Sequence, residues 1–157
     1  MFGIGDNILY PMHGAGTIKS IEKKEILGER REYYCLLLPY SKMNVMIPVN
    51  NSTNIGVRYI ISEDDIEDVI KVLGGESDEM PSNWNRRYRE NNEKLKTGDI
   101  NVVAGVVRDL IRNDRIKKLS TGEKKLLNTA RQILESELIL AGGYSVGEVE
   151  ELVEATV

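Results

Sequence analysis

The sequence predicts an α+β protein of two domains, a small N-terminal β-barrel followed by an all-helical bundle of about five helices. Three observations predict it. Up to Ile55, short apolar runs are separated by turn residues at Pro11, Gly14, Gly16, Gly28, Pro39 and Pro48, the punctuation of a compact sheet. From Ser62 onward the apolar period becomes helical. The 157 residues, 41% of them hydrophobic, are enough for one ordinary core or two small ones. The expected division is a β domain at 1–55, a linker at 56–61 and a helical domain at 62–157.

In the first part, "NILY", "GTIKSIEKK", "RREYYCLLL" and "NVMIPV" read as strands, with a turn at Leu27, Gly28 and Glu29. The third run is apolar on both faces, as where a small sheet curls on itself. In "NVMIPV" the period of two sets Val45, Ile47 and Val49 on one face and Met46 on the other.

The first predicted helix has Ser62 as N-cap, Ile66, Val69, Ile70 and Leu73 as its apolar stripe, and Gly74 and Gly75 as its stop. Pro81 and Ser82 open the second, which runs to about Lys96. The third begins at Asp99 and buries Val103, Val106, Val107, Leu110 and Ile111. Ser120 and Glu123 have capping-box spacing before the fourth, and Ser145 and Glu148 before a short fifth.

The composition excludes several function classes. There is one cysteine, Cys35, inside an apolar run, and one histidine, His13, inside a glycine-rich loop between strands. Neither finds the partners that a disulfide, a thiolate metal site or a catalytic dyad needs. That glycine loop precedes no helix, so it lacks the setting of a phosphate cradle. No catalytic residue, metal or cofactor is assigned. The chain has no run of eighteen apolar residues and no secretory signal pattern. It is therefore expected in the cytoplasm and off the membrane. A monomer in solution is expected as well.

Net charge is −4, which argues against a protein that coats nucleic acid. The charge is nevertheless uneven. Residues 82–131 hold thirteen Lys or Arg against six Asp or Glu. Arg108, Arg112 and Arg115 form one helical row, and Lys124 and Arg131 another. Such rows suit phosphate oxygens, or else pair with Asp109, Asp114 and Glu135.

Trp84, the sole tryptophan, sits among Arg86, Arg87 and Arg89 in "PSNWNRRYRENNEKL". Its spacing permits two readings. With Tyr88 and Leu95 it forms a core stripe; in the first turn of a helix, however, a side chain can stay exposed. An exposed indole flanked by arginines suits a wedge at a disrupted base step.

Four segments, "GDNILYPMHGAG", "NWNRRYRENNEKLKTGD", "VVRDLIRND" and "LSTGEKKLLNTARQILESELILA", together resemble the CarD/CdnL family of bacterial transcription regulators over nearly the whole chain. The first is shared with the polymerase-interacting module of transcription-repair coupling factors. The resemblance implies a Tudor-like (SH3-like) barrel that docks on the RNA polymerase β subunit. It further implies a helical domain that contacts promoter DNA at the upstream edge of the transcription bubble and stabilises the open complex. Carried onto this sequence, the minor-groove wedge is Trp84, and the backbone contacts fall on Arg86, Arg87, Arg89 and Lys124. The polymerase-facing positions fall on Lys24, Glu25, Ile26, Val45 and Met46. Met46 stands where relatives can carry a basic residue. A freestanding DNA-binding or nucleoid protein is the alternative, and a small carboxylate enzyme a distant third.

Overall fold

Leu27 and Gly28 both adopt positive φ, 54° and 80°, the conformation that a two-residue hairpin turn needs to match the strand twist. The turn joins β2 (Gly14–Ile26) to β3 (Glu29–Leu37), the longest pair in the five-stranded antiparallel sheet of the computed structural model, which describes residues 1–157. With β1 (Asn7–Tyr10), β4 (Asn44–Pro48) and β5 (Arg58–Tyr59), the order across the sheet is β4-β3-β2-β1-β5. Ile8, Ile18, Tyr34, Leu36, Leu38, Ile47 and Val57 form its inner core. A register shift between Ile18 and Ser20 interrupts the β2/β3 ladder, and such bulges add the twist that curls a small sheet. Val45 and Val49 pack on the core with Ile47, the face that the period of two predicts.

Residues 56–61, expected to be a linker, belong partly to the sheet. Val57 joins the barrel core, and Arg58 and Tyr59 pair with Leu9 and Ile8 as an edge strand. The step from β4 to β5 is made by a 3₁₀ turn and a single helical turn, α1 (Ser52–Ile55).

Five longer helices follow: α2 (Ile66–Leu73), α3 (Trp84–Lys96), α4 (Ile100–Ile116), α5 (Thr121–Gly142) and α6 (Val146–Thr156). Their starts follow the caps. Asp65 accepts from the Ser62 amide and hydroxyl, and Asp99 accepts from the amides of Asn101 and Val102. Ser145 and Glu148 complete a reciprocal box that holds the Glu148 carboxyl below its usual value. Three starts differ from expectation. The Ser62 box opens a 3₁₀ turn, Glu63–Asp65, so that α2 itself begins at Ile66. Helix α3 begins at Trp84, not Pro81, because Asn83 is the cap that accepts from Arg86 N. At α5, Ser120 accepts from Glu123 N, but the Glu123 carboxylate turns to Arg87 and leaves the box half made.

The helical core gathers Leu95, Val103, Val107, Leu110, Ala130, Leu134, Leu138, Val149 and Val153 around α4 and α5. Leu9 and Ala15 of the sheet join the same core, so the two domains share buried apolar surface.

Candidate nucleic-acid interface

Three helix ends meet at one side of the bundle: the start of α3, the end of α4 and the start of α5. Trp84, at the first position of α3, is 54% exposed. It borders a groove of about 600 Å³ whose other walls are Ile116, Lys117, Lys118 and Ser120. Ile116, 85% exposed, stands beyond the end of the α4 apolar stripe. The stripe that helical spacing draws through Trp84, Tyr88 and Leu95 therefore begins at Tyr88. Leu95 is fully buried and Tyr88 packs on the core, while the indole, in the first turn, stays exposed.

The arginines beside it have different fates. Arg89 and Lys124 are exposed. Arg86 is exposed and meets Glu90 at 3.0 Å one turn on, a pairing that solvent weakens. Arg87 is largely covered and four-fold engaged. It donates to both oxygens of Glu123 at 2.9 and 2.7 Å and to the carbonyls of Pro81 and Ser82. This network ties the chain before α3 to Arg87 and fixes α3 against α5. Glu123 in turn holds the Arg87 guanidinium above its ordinary value.

The row Arg108, Arg112 and Arg115 is engaged within the protein. Arg108 is 5% exposed and bridges the Val72 carbonyl, Asp109 and Asp78. Arg112 donates to Gly75 O and Ser77, and Arg115 to Val157 O and Glu154. All three satisfy carbonyls at the ends of α2 and α6, as side chains near a helix C-terminus do. Arg131 likewise pairs with Glu135 and Glu154. Helical spacing made these rows visible; the acids and carbonyls that consume them come from other elements.

On the sheet, register divides the partner-facing candidates. Lys24 pairs with Arg31, Ile26 with Glu29, and Cys35 with both Ser20 and Met46. Directly paired residues share a face and alternate along a strand. Lys24, Ile26 and Met46 thus share the outer face with Arg31 and Tyr33. Glu25 and Val45 lie on the opposite one, and Val45 is packed on the barrel core. Beyond Tyr33 only β2 and β3 continue, as a two-stranded arm with Leu27 fully exposed at its tip.

Comparison with known proteins gives the family. Residues 68–154 match the family model for the CarD C-terminal domain, and residues 2–61 match the CarD-like/TRCF RID domain. The chain is 41% identical over 151 residues to a Bacillus subtilis (strain 168) protein named "Putative transcription factor YdeB", covering 96% of this chain and 98% of the relative. The chain belongs to the CarD family. It is a transcription regulator whose N-terminal part is the Tudor-like module of that family.

The module matched in this CarD-family chain runs to residue 61 and so includes β5. His13 is exposed and stacks on Tyr10, with ring centroids 4.1 Å apart, in the turn where its amide donates to Tyr10 O. Partial burial lowers its pKa. Cys35 donates its thiol to Glu22 at 2.7 Å, and burial pushes its pKa up. No His, Cys, Asp and Glu side chains cluster so as to hold a metal ion, and no helix is long and apolar enough to cross a membrane.

Sequence reasoning passed over four residues that the structure brings to these surfaces: Ile116, Lys117 and Lys118 beside Trp84, and Leu27 at the arm tip. The dipeptide Lys117-Lys118 between two helices was the available signal for the first site. A leucine beside glycine in a tight turn was the signal for the second.

Proposed function

We propose that this regulator binds RNA polymerase through its sheet and promoter DNA through the rim around Trp84, stabilising the open complex. The observation that carries the reading is the exposed indole at the start of α3, in the lining of a groove that Lys117 and Lys118 also line. An apolar ring leaves water favourably only if something covers it. The unstacked step at the edge of a bubble offers an apolar slot flanked by phosphates. Arg86, Arg89 and Lys124 contact the phosphate backbone beside the wedge, with Lys117 and Lys118. Arg87 contributes by holding α3 in place.

The polymerase β subunit docks on the outer sheet face of Lys24, Ile26 and Met46, and on the Leu27 tip. The outer edge of β4 is unpaired and can add a strand from the partner through its backbone groups. Glu25 and Val45 support this surface from behind. Met46 supplies an apolar contact where a relative can supply a charged one. The acidic net charge fits delivery by a partner: tethering raises the effective concentration at the DNA, so intrinsic affinity can be low.

Promoter-dissociation kinetics test the reading. Trp84→Ala shortens the open-complex lifetime while the protein is still retained on polymerase β fragments; an unchanged lifetime removes the wedge. A freestanding DNA-binding protein would instead bind duplex tightly without polymerase and ignore changes at Lys24, Ile26 and Met46.

A further inference from the structure

Helix α5 carries three consecutive polar residues, Glu135, Ser136 and Glu137, that are almost wholly buried. Each is satisfied by a different part of the molecule. Glu135 takes Arg131 on its own helix, Ser136 Oγ accepts the Ala15 amide of β2 at 2.9 Å, and Glu137 takes Arg58 of β5. Ser136 and Glu137 therefore reach from the helical domain into the sheet.

The Arg58 contact is the most directional of these. Its Nη1 and Nη2 donate to the two Glu137 oxygens at 2.7 and 2.8 Å. Nε and Nη2 donate to the Gly98 carbonyl at 3.0 and 2.7 Å, in the turn between α3 and α4. Glu137 Oε2 also accepts the Ile61 amide at 2.9 Å. One guanidinium thus ties an edge strand to α5 and to the end of the helix that begins with Trp84. Close backbone approach accompanies it. A Cβ on Gly98, whose φ is 69°, would stand 3.3 Å from Pro11 Cγ, and one on Gly14 would stand 2.8 Å from Ser136 Oγ. At the far side Tyr40 donates to Glu150 of α6 at 2.6 Å.

Apolar contact alone, such as that of Leu9 and Ala15 with the helical core, is non-directional and allows one body to rotate on another. A planar bidentate fork and several anchors off one line do not.

We propose that Arg58 and Glu137 are positioning residues: they lock the angle between sheet and bundle, and so set where Trp84 stands relative to the polymerase-docking arm. The inference rests on the function proposed above for its consequence, though not for the lock itself. A tether raises local concentration only when its geometry lets both sites engage together. A regulator with a free angle would keep its polymerase affinity and lose its hold on the bubble.

The test separates the two layers. Spin labels at Thr53→Cys in the β domain and Glu93→Cys in the helical domain, in a Cys35→Ala background, report the interdomain distance by pulsed electron paramagnetic resonance. The unaltered clamp gives one narrow distribution. Arg58→Lys keeps a charge opposite Glu137 but loses the fork, and Arg58→Met with Glu137→Gln removes both charges so that neither is left unpaired. Both broaden the distribution while circular dichroism shows a folded chain. Unlabelled proteins with the same changes remain on polymerase β fragments, yet at saturating concentration their open-complex lifetime falls to that of Trp84→Ala. A broad distribution with the native pair, or a narrow one in the double variant, overturns the lock. Broadening without loss of lifetime overturns the positioning role. Trp84→Ala leaves the distance unchanged, so its failure to shorten the lifetime would sink the wedge and leave the lock to be judged by distance alone.

Discussion

Arg87 and Glu123 face each other across the α3/α5 contact, with the guanidinium donating to both carboxylate oxygens at 2.9 and 2.7 Å. The acid is buried and the arginine is four-fifths covered. An ion pair of this kind costs desolvation to make, but removing one partner strands the other charge. Arg87→Ala is therefore expected to destabilise the fold by about 2–4 kcal/mol, since it leaves Glu123 unpaired and frees the carbonyls of Pro81 and Ser82. Urea denaturation checks this. Arg87→Ala with Glu123→Ala costs less than the sum of the single changes.

Arg89 and Lys124 have no such partner, so truncating them leaves stability within about 0.5 kcal/mol. If they meet phosphates, each truncation lowers the slope of log affinity against log salt by about one, uniformly across DNA sequences. Titration of promoter DNA with the polymerase-bound regulator at several salt concentrations reads the slope. An unchanged slope removes the residue from the contact, and Lys117→Ala is read in the same way.

The single tryptophan makes its own probe. An indole 54% exposed emits at long wavelength and is quenched readily by acrylamide in the free protein. Insertion at a base step shields it, so emission is expected to lose intensity and quenching to fall when the promoter complex forms. Ring burial in the free protein would appear at once as resistance to quenching. Trp84→Ala leaves the melting temperature nearly unchanged, because little buried area is lost.

Glu154 provides a pH signature. Hydrogen bonds from Arg131 and Arg115 hold its carboxyl below the usual value. With the folded pKa depressed, the contribution is present above the unfolded carboxylate value, about 4.3, and fades as pH falls through the folded one. Glu154→Gln should thus lower the melting temperature at pH 7, and the difference should close as pH falls through the depressed folded value. The group is half exposed, so solvent screening limits the gap to about 1 kcal/mol. Glu135 acts in the opposite sense: burial raises its carboxyl, so its contribution is present below the unfolded value and lost as pH rises through the folded one. Glu135→Gln is then expected to narrow the stability gap as pH rises.

Local pattern carried the architecture. Turn residues before Ile55, helical period after Ser62, and caps at Ser62, Ser120 and Ser145 were all readable, because each is set by residues within about four positions of one another. The two-domain α+β reading followed from such stretches, while the family and its Tudor-like module followed from the resemblance of four longer segments. The exposure of Trp84 was left open by its spacing, because a ring in the first turn can point either way.

What tertiary structure alone decided is which charges are free. Arg87, Arg89 and Arg108 look alike in the sequence. Yet Arg87 is consumed by an acid 36 residues away and Arg108 by a carbonyl at the same separation, while Arg89 meets nothing. Arg58 lay in a stretch read as linker, and its partner is 79 residues on. Strand register likewise put Lys24, Ile26 and Met46 on one face and turned Glu25 and Val45 from it. A side chain's periodicity is fixed by its neighbours in the chain, but its partners are fixed by packing, which joins elements that no local rule connects.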